Sequence, residues 1–316
     1  MNRTLRIGTR GSELALWQAR HVADLLSRLD GAPGHLAIEI VEIRTAGDQL
    51  LDRPLSEVEG KAFFTKEIEE ALAAGTVDLA VHSLKDLPTA LPDGLVLAAV
   101  LEREDPRDVW LARSGAGFDA LPAGARVGTS SLRRRALLAR WRPDLELADL
   151  RGNVPTRVRR LEEGLFDAIV LAAAGVKRLG LERHVTEYLP LERFLPAVAQ
   201  GAVAVEIRDG DEATATWVRR LDHPPTRLAT TAERALLATL EGGCQIPVGA
   251  LATLDGNELS LVAEVVAIDG SRHVAGQRRG STSHPEELGR TLAEELIAGG
   301  AAAILAEIRR PGDAKS

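Results

Sequence analysis

The stretch Leu5–Leu26, LRIGTRGSELALWQARHVADLL, joins a short apolar segment to an amphipathic one through a polar loop. The first five residues are typical of a β-strand, and Ser12 is suited to cap a helix. Apolar residues then recur at roughly helical spacing from Leu14 to Leu26. Because the same order of strand, loop and helix repeats along the first two-thirds of the chain, the sequence predicts an α/β fold.

The alternation of strands and helices occurs in two successive runs. The first run contains the apolar segments IEIVEIR (38–44), DLAVHS (78–83) and LVLAAVL (95–101). The second contains DVWLAR, ARVGT, LELAD and DAIVLA, all between residues 108 and 172. Two such runs predict two similar lobes with largely parallel sheets, whose ligands bind outside the carboxyl ends of the strands. The segment AVAVEIR (202–208) follows the second run and is interpreted as a strand that returns to the first lobe.

The pattern changes after about Asp222. A helical segment is followed by three apparent strands and a long region rich in Ala, Leu and Glu. This order is typical of a small α+β unit. The predicted domains are therefore 1–101 with 201–221 for the first lobe, 102–200 for the second lobe, and 222–316 for a C-terminal α+β domain.

Composition narrows the classes of function. The 316 residues carry a formal net charge of −7 and only 3% aromatic residues, which argues against nucleic-acid binding. The single cysteine cannot form an internal disulfide, and no apolar run is long enough to span a bilayer. The seven histidines are not spaced as metal ligands, so no metal site is predicted. We expect a cytoplasmic protein.

The loop VHSLKDLPT (81–89) follows a predicted buried strand and brings Ser83, Lys85 and Asp86 to its carboxyl end. A carboxylate at that position can act as a general acid or base, or stabilise a developing cation. A solvated turn with a surface ion pair fits the same residues. His82 adjoins this loop, and the sequence leaves open whether its role is structural or functional.

Arginines follow two further predicted strands. GTSSLRRR (128–135) and DLRGNVPTRVRRL (149–161) each place capping residues and several arginines at a helix start. Arginine is unfavourable there against the helix dipole, unless an anion binds. A solvated basic helix face is the alternative interpretation. Because planar guanidinium groups pair with carboxylates, several such loops on one sheet edge favour a ligand with many carboxylates.

A series of motifs in order resembles the porphobilinogen deaminase family, also called hydroxymethylbilane synthase. The motifs are RIGTRGSELALWQA, GKAFFTKEIEEAL, VHSLKDLPT, REDPRDVW, GTSSLRRR, LRGNVPTRVRRLEEG, LAAAGVKRLGL, PAVAQGAVAVE and LEGGCQIPVGA. The resemblance runs from about Leu5 to Ala250. It implies two lobes similar to type II periplasmic-binding proteins, with the chain crossing back to the first, and a small α+β C-terminal domain.

The resemblance also implies an activity. Members of this family are transferases of tetrapyrrole and heme biosynthesis, usually monomeric, which join four porphobilinogen molecules head to tail and release ammonia at each step. The product is linear hydroxymethylbilane. The resemblance places a dipyrromethane cofactor on Cys244 through a thioether and makes Asp86 the catalytic residue. Covalent attachment would keep the growing chain from dissociating between additions.

Further site residues are carried over from the family motifs. The residues expected to bind the cofactor, besides Cys244, are Ser83, Lys85, Asp86, Thr129, Ser131, Arg133, Arg134, Arg151, Gly152 and Asn153. The residues expected to bind porphobilinogen are Arg10, Ser12, Lys61, Phe64, Arg151, Arg157, Arg178, Gln200 and Gly201. Some positions depart from the family pattern: Ala62 and Ala199 stand where glycine is usual, and Glu57 and Glu59 stand in a loop that is often more basic or glycine-rich.

Two other classes of function are compatible with parts of the sequence. A noncatalytic anion-binding protein can be built on the same two lobes, although it has no use for a GGCQ loop. A cysteine hydrolase would require a histidine that activates Cys244, and the sequence nominates none.

Overall fold

The computed structural model describes residues 4–29, 37–49, 65–240 and 246–308. The chain divides into two compact units: unit 1 comprises Met1–Glu104 with Gly201–Arg227, and unit 2 comprises Asp105–Gln200 with Leu228–Ser316. Three predicted site residues, Lys61, Phe64 and Cys244, lie outside the described residues, as do Glu57, Glu59 and Ala62. No helix in the described ranges is long and apolar enough to cross a membrane.

Unit 1 contains a five-stranded sheet. Its strands are β1 (Thr4–Thr9), β2 (Ala37–Glu42), β3 (Leu79–Ser83), β4 (Leu95–Val100) and β10 (Val203–Arg208), in the order β2-β1-β3-β10-β4. β1 runs parallel to β2 and to β3, whereas β10 is antiparallel to both of its neighbours. The prediction that AVAVEIR returns to the first lobe is confirmed.

Helices cover both faces of the sheet in unit 1. They are α1 (Glu13–Ser27), α2 (Ala46–Gln49), α3 (Lys66–Ala73) and α7 (Glu212–Val218). The predicted cap of α1 is confirmed, because Oγ of Ser12 accepts a hydrogen bond from the backbone nitrogen of Ala15 at 3.3 Å. α1 buries Val22 and Leu26 against one face of the sheet, and α3 buries Ile68 and Leu72 against the other.

Unit 2 contains a second sheet of the same design. Its strands are β5 (Asp108–Ala112), β6 (Arg126–Gly128), β7 (Glu146–Ala148), β8 (Ala168–Ala172) and β9 (Glu187–Tyr188), in the order β7-β6-β8-β5-β9. β6 is parallel to β7 and β8, and β5 is antiparallel to both of its neighbours. The prediction of two similar α/β lobes is confirmed.

The prediction of largely parallel sheets is confirmed for four of the five strands described in each lobe, and one strand in each runs antiparallel to its neighbours. β10 begins at Val203, opposite Ser83 at the carboxyl end of β3, and β5 begins at Asp108, opposite Ala172 at the carboxyl end of β8. Each is the first strand that the chain forms after it passes from one unit to the other. Because the chain enters each sheet at the carboxyl edge of the parallel strands, these two strands run in the opposite direction.

The remaining elements of unit 2 include three helices of the second lobe: α4 (Leu132–Trp141), α5 (Val154–Glu162) and α6 (Ala173–Arg178). α8 (Pro224–Thr239) leads toward an antiparallel sheet of β11 (Val248–Asp255), β12 (Glu258–Val266) and β13 (His273–Ser281). α9 (Pro285–Leu296) and α10 (Ala302–Ile308) follow. The predicted α+β character of the C-terminal region is confirmed.

Candidate functional site

A small open pocket of about 70 Å³ lies in unit 1 at the carboxyl ends of β1 and β3. The register that pairs Ile7 with Leu79 places both strand ends at the same edge of the sheet. The pocket is where an open α/β sheet is expected to bind its ligand. Four predicted site residues line it together: Arg10, Ser12, Ser83 and Asp86.

A single turn of 3-10 helix, Leu84–Asp86, directs the end of β3 into the pocket. Leu84 is fully buried and anchors the turn, while Asp86 stays exposed to solvent on the pocket wall. Lys85 lies half-buried in the same turn. The backbone nitrogen of Leu84 donates to the carbonyl oxygen of Ala202, which precedes β10. The backbone of the turn that carries Asp86 is therefore anchored to the core of the sheet.

Gln18 is a pocket residue that the sequence analysis missed. Its side chain is 1% exposed, and its Nε2 donates to Oγ of Ser83 at 2.9 Å. This hydrogen bond fixes the orientation of the Ser83 hydroxyl toward the pocket. The available signal was helical spacing, because Gln18 lies about one turn before Val22 and two turns before Leu26, which pack on the sheet.

A buried polar cluster lies behind the pocket wall. Nε2 of His82 lies 3.3 Å from Oε2 of Glu206, and their side chains are 4% and 0% exposed. Glu69 of α3 and Thr65, which precedes α3, are buried as well. Burial is the main cause that raises the pKa of Glu69; the negative charge of Glu206 acts in the same direction, whereas Thr65 and His82 oppose it.

The predicted anion sites of unit 2 are helix starts. Ser131 caps α4 by accepting a hydrogen bond from the backbone nitrogen of Arg134 at 3.4 Å. Asn153 caps α5 by accepting one from the backbone nitrogen of Thr156 at 3.0 Å. Thr129 precedes α4, and its hydroxyl accepts from the backbone nitrogen of Ser131. The caps thus orient these polar groups at the carboxyl ends of β6 and β7.

Arg133 and Arg134 lie deeper than a surface anion site requires. Both are buried, and both bind the fully buried carboxylate of Asp108, at 2.8 Å each. Arg133 also donates to the carbonyl oxygen of Leu195, and Arg134 donates to that of Val170. Burial alone would raise the pKa of Asp108, but the charges of the two arginines outweigh it and hold that pKa well below its usual range. A cofactor carboxylate would share these guanidinium groups with Asp108.

Gln200 and Gly201, where the chain returns to the first lobe, both have structural roles. Gln200 is 1% exposed, and its Nε2 donates to the carbonyl oxygen of Pro106 and to Oδ1 of Asp108. Gly201 has a φ of 94°, and a Cβ there would lie 2.3 Å from the carbonyl oxygen of Glu104. Glycine is therefore required at position 201 for steric reasons, independently of any contact with substrate.

Four more predicted residues lie in unit 2, two of them after the end of β7 and the other two on helices α5 and α6. Gly152 has a φ of 103°, and Nε of Arg157 donates to its carbonyl oxygen at 2.7 Å. Arg151 is half-buried beside Gly152, and Arg178 is half-buried at the end of α6.

The chemistry of the donor set suits a ligand with several carboxylates. Hydroxyl, amide and guanidinium groups, which are the usual partners of carboxylates, stand at the starts of α4 and α5 and in the pocket of unit 1. Among the described residues, no group of three or more His, Cys, Asp or Glu side chains is arranged to hold a metal ion.

Known proteins match this chain over nearly its full length. Residues 5–216 match the family described as "Porphobilinogen deaminase, dipyromethane cofactor binding domain", and residues 227–298 match its C-terminal domain. The porphobilinogen deaminase of Roseiflexus castenholzii is 53% identical, covering 97% of this chain and 100% of its own length. That of Syntrophomonas wolfei is 51% identical, covering 98% and 100%.

A solved structure, the VFT2 domain of Bordetella pertussis BvgS, is 15% identical, covers 69% of this chain and 86% of its own, and has a TM-score of 0.42. A likeness at that level adds nothing to the fold described above. The two family matches and the relatives agree over nearly the full length of the sequence, and the chain belongs to the porphobilinogen deaminase family.

Proposed function

We propose that this enzyme is a hydroxymethylbilane synthase, a transferase that joins four porphobilinogen molecules head to tail and releases ammonia at each addition. One observation carries the proposal: in a chain of this family, Asp86 shares a pocket with Arg10, Ser12 and Ser83 at the carboxyl edge of the sheet. A carboxylate beside a guanidinium and two hydroxyls can act on a substrate that becomes cationic and carries carboxylates of its own.

We propose that dipyrromethane is attached to Cys244 through a thioether. When bound, it would supply the pyrrole carbon to which the first substrate unit is joined. The residues that would hold its carboxylates are Ser83, Lys85, Thr129, Ser131, Arg133, Arg134, Arg151, Gly152 and Asn153. Hydroxyls and backbone amides at helix starts favour anions there.

Asp86 would act on porphobilinogen itself. Loss of ammonia from the aminomethyl group leaves positive charge on the pyrrole ring. A carboxylate close to the ring nitrogen stabilises that charge and can accept a proton from it. Because the turn that carries Asp86 is anchored by the buried Leu84 and by the strand β3, the backbone keeps this carboxylate at the pocket wall.

Substrate binding would depend on groups that neutralise acetate and propionate. Arg10 and Ser12 stand on the same pocket wall as Asp86 and would bind one of these carboxylates. The family resemblance implies further substrate-binding residues, which are Lys61, Phe64, Arg157, Arg178, Gln200 and Gly201. We also propose that the protein is a cytoplasmic monomer whose partner is the small molecule alone.

The experiment compares two aspartates that lie close together in the chain. Purified protein is incubated with porphobilinogen, and both ammonia and hydroxymethylbilane are measured. We expect Asp86→Asn to lose turnover almost completely, because it keeps the shape of the side chain and removes its charge. The matched control is Asp93→Asn, since Asp93 is exposed outside the pocket and should tolerate the change.

Three results would count against the proposal. Normal turnover by Asp86→Asn would remove the assigned role of this carboxylate. An equal loss in Asp93→Asn would show that the effect is not specific to the pocket. Binding of porphobilinogen without any product from the unmodified sequence would favour a noncatalytic anion-binding protein.

A further inference from the structure

Two serine hydroxyls line the pocket of unit 1, and each has one acceptor position filled by a donor of the protein. Oγ of Ser12 accepts a hydrogen bond from the backbone nitrogen of Ala15 at 3.3 Å. Oγ of Ser83 accepts one from Nε2 of Gln18 at 2.9 Å. A hydroxyl has one hydrogen to donate and two lone pairs with which to accept. Each serine therefore keeps its own hydrogen for another partner.

The hydrogens of Ser12 and Ser83 are not donated to any acceptor among the described residues. A serine of unit 2 shows the opposite arrangement. Oγ of Ser130 donates to the carbonyl oxygen of Leu150 at 3.0 Å and accepts from the backbone nitrogen of the same residue at 3.1 Å. The hydroxyl of Ser130 is thus used inside the protein, whereas the two hydroxyls of the pocket are available to a ligand as donors.

The side chain of Gln18 is well placed to maintain this arrangement at Ser83. Gln18 lies on α1 and is 1% exposed, whereas Ser83 is half-buried at the carboxyl end of β3. Val22 of α1 and Val81 of β3 belong to the same buried core, which holds the helix against the strand. Because the amide of Gln18 is already ordered by this packing, no further ordering of the amide is needed when a ligand binds.

We propose that Gln18 is a positioning residue, whose amide keeps the hydroxyl of Ser83 turned outward as a donor to a carboxylate on a pyrrole ring in the pocket. The inference rests on the proposed function, which it deepens by naming a residue that acts through Ser83. A hydrogen bond to a charged acceptor is stronger than one between neutral groups, so a carboxylate gains most from an aligned donor. Arg10 lines the same pocket and supplies charge of the matching sign.

The carboxylate belongs either to the cofactor or to porphobilinogen, because acetate and propionate groups are present on both. In each case the ligand atom is a carboxylate oxygen, and Ser83 supplies the same donor. Without the amide of Gln18 the hydroxyl can rotate, and orientations that turn its hydrogen away from the ligand compete with binding. The experiment therefore measures substrate binding and cofactor content separately.

The first test is a double-mutant cycle of Gln18→Met and Ser83→Ala, since methionine is close to glutamine in size but donates no hydrogen bond. If porphobilinogen supplies the carboxylate, we expect Ser83→Ala to raise KM about 10-fold and Gln18→Met about 5-fold, with kcat near its original value. If the cofactor supplies it, KM stays unchanged and the fraction of protein that carries the added mass falls instead. In both cases the double variant should lose no more than Ser83→Ala alone.

The matched control is Gln277→Met, which breaks a hydrogen bond of the same kind. Nε2 of Gln277 donates to Oγ of Ser260 at 3.0 Å on the C-terminal sheet, which carries no predicted site residue. We expect KM, kcat and cofactor content to stay at their original values in this variant.

The second test does not depend on turnover. Protein with ¹⁵N-labelled glutamine is studied by NMR, and the side-chain amide signals missing from Gln18→Met identify Gln18. We expect the amide proton that is bonded to Ser83 to resonate at a higher frequency than the other proton of the same amide. Ser83→Ala should remove that displacement, because the acceptor is lost.

The outcomes separate this inference from the function on which it rests. No turnover by the unmodified sequence would contradict the proposed function. Normal turnover by the unmodified sequence, with KM and cofactor content unchanged in Gln18→Met, would overturn the inference alone. Losses that simply multiply in the double variant would also overturn it, since Gln18 would then act independently of Ser83. If Gln18→Met does not fold, glutamine side-chain signals that Ser83→Ala leaves entirely unmoved would overturn it as well.

Discussion

The backbone nitrogen of Ala199 donates a hydrogen bond of 2.7 Å to Oε2 of Glu233, whose other carboxylate oxygen accepts one of 2.8 Å from the backbone nitrogen of Ala252. Glu233 is fully buried on α8. One carboxylate therefore joins the end of the second lobe to strand β11 within unit 2. Ala199 has a φ of 59°, and it is the one non-glycine residue with positive φ in the described part of the chain.

Ala199→Gly should stabilise the protein. An alanine in the left-handed region is disfavoured by about 1–2 kcal/mol, and part of this gain is offset because glycine loses more backbone entropy on folding. We expect the free energy of unfolding in urea to rise by about 0.5–1 kcal/mol. The control is Ala23→Gly in the middle of α1, where the same change should lower stability by about 1 kcal/mol. A loss of stability in Ala199→Gly would contradict the view that the backbone of Ala199 is strained.

Asp108→Asn should be strongly destabilising. It removes the fully buried carboxylate that Arg133 and Arg134 both contact at 2.8 Å. Loss of one partner of a buried ion pair typically costs about 3–5 kcal/mol. Asp119→Asn is the matched control, because its ion pair with Arg193 is largely exposed and should contribute at most about 1 kcal/mol. Equal effects of the two variants in urea unfolding would refute this account of the cluster.

Glu264 should make stability depend on pH. Burial raises its pKa from 4.5 to about 7, although Arg133, the Leu195 amide and Arg140 oppose the shift. Between these two values the folded state binds more protons than the unfolded state, so stability falls as pH rises from about 4.5 to 7.

Glu264→Gln cannot ionise and should escape that loss. We expect the variant to exceed the unmodified protein in stability by up to about 3 kcal/mol at pH 8, and the difference to shrink toward pH 5. Urea unfolding at a series of pH values measures it. A difference that stays constant with pH would mean that Glu264 titrates as an exposed glutamate does.

Local patterns in the sequence predicted most of the fold. The spacing of Leu14 to Leu26 and the capping residue Ser12 are short-range signals, and α1 begins where they indicate. The antiparallel direction of β5 and β10 was not predictable in the same way. It depends on which edge of the sheet the chain enters, and that is a property of the complete lobe.

The candidate site was predictable where residues follow strand ends. Asp86, Ser83 and Arg10 meet in one pocket because β1 and β3 are parallel neighbours. The sequence did not reveal that Arg134 is buried on Asp108, since the two residues are 26 positions apart on different elements. It also did not reveal Glu206 behind His82, because that pair forms only after β10 returns to the first lobe.

The intact mass of the purified protein tests the central claim most directly. The account predicts a mass above that of the sequence by two pyrrole rings of dipyrromethane, and the loss of this addition in Cys244→Ser. Denatured protein should keep the added mass, since a thioether survives unfolding. A protein of unmodified mass that still converts porphobilinogen to hydroxymethylbilane at full rate would contradict the account.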